Sequence, residues 1–543
     1  MKLPCYALIV CCAALSILTV FAAWEMLYHQ SLVIPPVLID VFPLWKQRIT
    51  LYKGEFRQKY QMLDGFILHR HNRPSPQTQK KVQISSNGSK KYLNDDDDKS
   101  IKQRRVKEME SEKIFPSRFG SYIYSNDASH GLPTSPKIVC YYTTPMLNAF
   151  NKSLTNHHQK FRHILLPEFI DPYLCTHLNI GIIGIVNSTL YMDKNIREAL
   201  ERIKGLKKAN PILKILLWVG GARVGGFSTM VKDHTSRKSF IQSLKMTLEQ
   251  YHMDGVDLDW EFPGTDGKTR VHFSQLLHEI RREYQREHRT YILSVAVAPQ
   301  ETIAYLAYDV AEINNYADYV NLMSYDYHFY SSELPQTGLN APLFRREHER
   351  SLLGTLNINE SVHYWLAAGL DRSKLVVGLP TYGHSFSLLN PFNTRIGAPT
   401  NNFGRVGTLG FASYSEICWF RRCNIYAHRV YDIPSCSPYL YAGSEWISYD
   451  DEQSLACKAT FIKSQGFGGA MIFSLNTDDF GAFCEDATVY LGKPTDALQD
   501  VGTSTTFPLL RTIRSILLGD VKFAEAHRTM EKGLGLKAGK MLV

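Results

Sequence analysis

From residue 136 onward the chain alternates short apolar runs with amphipathic stretches. The runs Ile138–Tyr142, His177–Gly184, Lys214–Val219, Gly255–Trp260, Ile292–Val297, Tyr319–Ser324, Leu375–Gly378 and Gly469–Phe473 predict eight strands. Helical periodicity falls between several of them, most clearly at Lys194–Ile203, Ser236–Tyr251 and His272–Arg289. Strands this apolar along their whole length are covered on their outer face by the intervening helices. Eight such units predict an α/β fold, a closed (β/α)8 TIM barrel over residues 136–519. The stretch between Pro380 and Gly469 is too long for one crossover, which predicts a small α+β insertion at about 385–450 beside the barrel mouth. Leu509–Leu518 reads as the last barrel helix, and residues 520–543 as a basic tail.

The first 135 residues follow a different pattern. Leu3 to Trp24 carry no charge, a length that spans a bilayer and exceeds the apolar part of an ordinary signal peptide. Lys2 precedes this span and the next Lys or Arg is Lys46. The charge asymmetry favours a signal-anchor within residues 1–27, a type II single-pass membrane protein with its body outside the cytoplasm. The alternative is a signal peptide cleaved near Val20-Phe21-Ala22-Ala23 and a secreted product. Residues 28–135, with Asp95 to Asp98 and the cluster Lys102, Arg104, Arg105 and Lys107, offer few core positions and read as a low-order stalk.

Composition narrows the function classes. At 543 residues and 44% apolar content the chain can bury a large core, and its formal charge of +9 is modest for that length. The basic residues are spread along the chain without an aromatic stripe, which argues against a nucleic-acid partner. Cys5, Cys11 and Cys12 lie in the apolar N-terminal segment. The remaining Cys140, Cys175, Cys418, Cys423, Cys436, Cys457 and Cys484 are odd in number and lack zinc spacing, so no metal is expected and one thiol is left over. Asn87, Asn151, Asn187 and Asn359 head sequons and are candidate glycan acceptors.

The chemistry concentrates in the octet Asp254-Gly255-Val256-Asp257-Leu258-Asp259-Trp260-Glu261. On a strand, side chains alternate faces, so Asp257, Asp259 and Glu261 share one side opposite Val256, Leu258 and Trp260. Like charges roughly 6 to 7 Å apart resist full ionisation, so at least one acid keeps a proton near neutral pH. Barrel active sites lie at the C-terminal strand ends, which makes Glu261, the last of the three, the candidate proton donor. Acids on one strand face cannot flank a sugar ring as the usual glycosidase pair does. A nucleophile must come from elsewhere, and a substrate's own acetamido oxygen is one candidate.

Asp254-x-x-Asp257-x-Asp259-x-Glu261 resembles the signature of family 18 glycoside hydrolases, the chitinases and chitinase-like lectins. Matches in the same order are Cys140-Tyr141-Tyr142-Thr143, Cys175-Thr176-His177, Gly220-Gly221, Asn321 to Asp326, Gly338-x-Asn340, Gly378-x-Pro380-Thr381-Tyr382-Gly383 and Gly468 to Met471. The resemblance implies retaining, substrate-assisted hydrolysis of β-1,4-linked N-acetylglucosamine oligomers, with chitin or related oligosaccharides as partners and no cofactor. It makes Glu261 the acid and base, Asp259 the group that orients the N-acetyl arm, and Asp257 the partner that shares a proton with Asp259. Tyr325 and Asp326 would hold the acetamido group, while Tyr382, Met323, Tyr141, Phe473 and Met471 would line the site. It also implies the disulfides Cys140–Cys175 and Cys418–Cys484. Proximity in the chain suggests Cys423–Cys436.

Departures from the family pattern bear on affinity. Pro145, Ala222 and Phe473 stand where family chitinases usually carry tryptophan. At roughly 25 cal/mol per Å², losing indole platforms weakens the grip on a long chain by several kcal/mol. Weak action on crystalline chitin is therefore expected, and a tethered lectin without turnover is the alternative. His384 replaces an arginine, and Trp218 fills a position that is usually small, where its ring could crowd the acids. Tyr327, Phe329 and Tyr330 are candidate replacement aromatics.

Overall fold

The apolar runs become the strands of a computed structural model, which describes residues 135–144, 164–264, 267–484 and 506–519. In chain order they are β1 (Lys137–Thr143), β2 (His177–Val186), β3 (Thr189–Tyr191), β4 (Lys214–Gly220), β5 (Gly255–Asp259), β6 (Ile292–Val297), β7 (Tyr319–Leu322) and β8 (Leu375–Pro380). Then follow β9 (Tyr382–Leu388), β10 (Thr400–Phe403), β11 (Phe411–Ser413), β12 (His428–Asp432), β13 (Ser437–Ala442), β14 (Glu445–Ser448) and β15 (Gly469–Phe473). Parallel pairing runs β1-β15-β8-β7-β6-β5-β4-β2, and β2 pairs back onto β1, so eight strands close a barrel. The small β3 is a hairpin partner of β2, turned at Asn187 and Ser188, whose φ values of 51° and 58° suit a tight two-residue turn.

Helices cover the barrel because each places an apolar stripe against the strands. Lys194–Ala209 buries Ile196, Leu200 and Ile203, and His234–Tyr251 buries Phe240, Ile241, Leu244 and Leu248. Asp193 and Asp233 cap these helices by accepting from the amides of Ile196 and Ser236, each worth about 1 kcal/mol. The predicted last helix spans Pro508–Leu518 and buries Leu509, Leu510, Ile513 and Leu517.

The insertion begins directly after β8. An antiparallel sheet, β10-β9-β14-β13-β12 with β11 on β9, carries the helix Tyr414–Cys423 on its connection. Because β9 starts at Tyr382, two residues past Pro380, the insertion's first strand rises from the barrel mouth.

Cys140 is bonded to Cys175, Cys418 to Cys484 and Cys436 to Cys457. The expected Cys423–Cys436 pair is corrected. Cys423 ends its helix exposed and unbonded, while the loop before β13 turns Cys436 toward Cys457 on the helix Glu452–Gln465. Asn187 is exposed in its turn and Asn359 half-exposed in a helix's first turn. The N-terminal apolar segment, the stalk, the basic tail, Pro145, Asn87 and Asn151 lie outside the described residues. Among the described residues no helix is long and apolar enough to cross a membrane, and no cluster of three metal-type side chains occurs.

Candidate active site

Strand alternation sorts the acidic octet. Trp260 turns outward, stacking on Phe227 at 5.3 Å and meeting Phe273 edge-on at 5.7 Å. Asp257 and Asp259, at the alternate positions of the strand, therefore face the barrel interior. Gly220 lets β4 run close beside them, since a Cβ there would sit 2.0 Å from the Asp259 carbonyl oxygen. Gly221, which follows, donates its amide to that same carbonyl at 2.7 Å.

Asp257 is fully buried, at 0% exposure. Its Oδ2 accepts from the Tyr141 hydroxyl at 2.6 Å, and its Oδ1 accepts from Ser294 Oγ at 2.6 Å and Asn321 Nδ2 at 2.9 Å. Burial pushes its carboxyl above the ordinary range, opposed by these three hydrogen bonds. The same burial, followed by the nearby Asp257 and Asp259, pushes the Tyr141 hydroxyl well up, so it stays a donor. One step along the strand, Asp259 Oδ2 accepts from the Trp218 indole N–H at 2.9 Å. Glu261 lies past the end of β5 and is half-buried at the mouth. The column thus runs from a sealed, hydrogen-bonded acid to a solvent-reachable one.

A second cluster rises from the ends of β7 and β9. Asp326, held at φ 59°, accepts from the Tyr382 hydroxyl at 2.6 Å and from His384 Nε2 at 2.8 Å. Asn340 fixes the turn by accepting from the Asp326 amide at 3.0 Å and donating to the Tyr382 carbonyl at 3.1 Å. Tyr382 stacks on Phe411 from the insertion at 4.4 Å. Tyr325 is buried, and its hydroxyl lies 3.7 Å from Met471 Sδ.

Phe473, half-buried at the end of β15, joins the two clusters. Its ring is 5.7 Å from both Tyr141 and Tyr325 and 6.2 Å from Tyr382. The structure therefore brings Glu261, Asp259, Asp257, Tyr325, Asp326, Tyr382 and Phe473 to one end of the barrel. Tyr141, Met471 and Met323 are all buried. Tyr327 is buried and bonded to Ser361, so it offers no sugar platform, whereas Phe329 and Tyr330 are half-exposed. Trp218 does not displace the acids, because its indole fits inside the barrel and bonds to one of them.

Ser294, Asn321 and Asn340 hold the two clusters in place without a distinct signature of that task in the sequence. The signal for Ser294 was a polar residue at an inward position of an apolar strand. Asn321 and Asn340 stood inside recognised motifs without a stated task.

The sequence profile of Glycosyl hydrolases family 18 matches residues 137–478. Mouse (Mus musculus) Chitotriosidase-1 is 33% identical over 401 residues, 71% of this chain and 78% of that protein. Among solved structures, human YKL-39, described as a pseudo-chitinase with retained chitooligosaccharide binding, aligns at 32% identity with a TM-score of 0.61. That alignment covers 71% of this chain and 100% of YKL-39. The Ostrinia furnacalis Group IV chitinase in complex with allosamidin aligns at 32% identity and a TM-score of 0.61, over 70% of this chain and 99% of its own. The chain belongs to glycoside hydrolase family 18.

Proposed function

We propose that this family 18 protein hydrolyses β-1,4-linked N-acetylglucosamine oligomers within the chain, with retention and with the substrate's acetamido group as nucleophile. The carrying observation is the graded acid column: Asp257 sealed among neutral donors, Asp259 above it, Glu261 at the mouth. Glu261 gives its proton to the departing glycosidic oxygen while the acetamido carbonyl oxygen closes on the anomeric carbon, forming an oxazolinium ion. Asp259 accepts the acetamido N–H and balances the positive charge. Glu261, now a carboxylate, takes a proton from water as that water opens the ring, which returns the enzyme to its starting state. Asp326 with Tyr382, and Tyr325 beside them, orient the acetamido arm from the facing strands.

Phe473 in place of an indole and the small Ala222 after the Gly pair support weak action on crystalline chitin. They also favour the second reading, a lectin that binds chitooligosaccharides without turnover, as is said of human YKL-39. The uncharged N-terminal segment and the three disulfides support delivery to an oxidising compartment, with the segment either tethering the protein or being removed. The test is incubation of the full-length protein and Glu261→Gln with soluble chitotetraose. Shorter products from the wild type, reduced on the order of 10²-fold or more in the variant, are expected. Equal turnover by both removes the hydrolase reading, and binding by the wild type without products favours the lectin.

A further inference from the structure

Trp218 is the interior residue of β4 paired in register with Asp257, and it is 2% exposed. Its ring meets Tyr141 edge-on at 5.0 Å and Phe473 edge-on at 5.9 Å. The neighbouring strand is cut away to receive it. A Cβ at Gly181 would lie 2.7 Å from the Trp218 carbonyl oxygen and 3.0 Å from both Cβ and Cε3 of its side chain. Space has thus been made inside the barrel for an indole whose N–H ends 2.9 Å from Asp259 Oδ2.

We propose that Trp218 is a positioning residue for Asp259: its indole N–H holds one carboxylate oxygen and sets the orientation in which Asp259 meets the acetamido N–H. The proposal rests on the hydrolase reading and deepens it. An indole N–H only donates, and it neither gives up nor takes a proton in the working pH range. A hydrogen bond donated to the ionised carboxylate favours that form. The proton of the acid pair then belongs on Asp257, the more deeply buried of the two and the one whose carboxyl burial pushes up. Asp257 shares the strand of Asp259, Glu261 follows just past its end, and the field of Asp259 reaches Tyr141 and Tyr308 on neighbouring elements. The tyrosines stay protonated in the working range, so a shift in the acidic limb reports the carboxyl groups.

The test is Trp218→Phe in the full-length protein, which keeps a ring and removes the donor. We expect kcat on chitotetraose to fall on the order of tenfold with KM little changed, and the acidic limb of the kcat profile to move up by about one pH unit. A second measurement does not depend on turnover. With 15N-labelled tryptophan, the indole signal that Trp218→Phe deletes, one of 7 in the wild type, should shift with pH and lose that titration in Asp259→Asn. Wild-type rate and pH profile in Trp218→Phe overturn the proposal. So does a rate loss with a fixed acidic limb and a lowered melting temperature, which marks packing alone. So does an indole signal indifferent to Asp259→Asn. If the wild type itself proves inactive, the hydrolase reading fails while the indole titration still decides the Trp218–Asp259 link.

Discussion

Two buried carboxylates in different regions of this molecule are held in opposite ways. Inside the barrel, Asp257 is surrounded by the neutral donors Tyr141, Ser294 and Asn321. In the layer outside it, Asp450 follows β14 and is paired with the ammonium of Lys458 on the helix Glu452–Gln465, both side chains sealed from solvent. Burial pushes Asp450 up to about 6 and Lys458 down, against the pull of each on the other. A full countercharge pins both charges in place, and such a pair costs desolvation while it fixes geometry. Neutral donors orient a carboxyl without holding a matched cation beside it, so the proton stays free to be shared along the acid column. The outer pair reads as architecture and the inner network as chemistry.

That contrast breaks most visibly at Lys458→Met, which leaves Asp450 buried without its cation. Chemical denaturation should show a loss of about 3–5 kcal/mol, with turnover per folded molecule unchanged. The mirror experiment is Asp257→Asn, which keeps the shape and removes the shared proton. It should lower kcat on the order of 10²-fold while the denaturation midpoint barely moves, because the amide is neutral, as Asp257 is when it carries the shared proton. Comparable stability losses from the two variants would erase the distinction.

Smaller changes sharpen it. Ser294→Ala removes one donor from Asp257, worth about 1 kcal/mol, and a carboxyl with fewer donors titrates higher. Carboxyl carbon NMR should therefore place Asp257 above its wild-type value in this variant. A pH-dependent contrast concerns Asp478, which accepts from the Leu510 amide at 3.0 Å and anchors the last helix. Burial pushes it up to about 7 from an ordinary 3.8. The unfolded chain thus loses this proton first, and Asp478 lowers stability as pH rises from about 4 to about 7. Asp478→Asn escapes that penalty, so its melting temperature relative to wild type should rise between pH 5 and pH 8.

All eight barrel strands were legible in the sequence, because strands buried on both faces leave apolar runs that no helix period explains. The acid column was legible for a related reason, since polar residues alternating within such a run have one face to share. The insertion was visible only as excess length, and its sheet order depends on antiparallel pairings that alternation alone does not choose between. In the sequence Trp218 stands out only as a bulky intruder, and its role depends on the empty side of Gly181 on the neighbouring strand. The pairing of Cys436 with Cys457 likewise depended on where a loop returns to the barrel and not on spacing.

The central claim, that acids on one inward strand face work with the substrate's own acetamido oxygen, is tested most directly by the anomeric form of the first product. Proton NMR of chitotetraose during the first minutes with the full-length protein should show the new reducing end in the β configuration, drifting later to the equilibrium mixture. An initial α product would mean direct attack by water from the opposite side and would contradict the account.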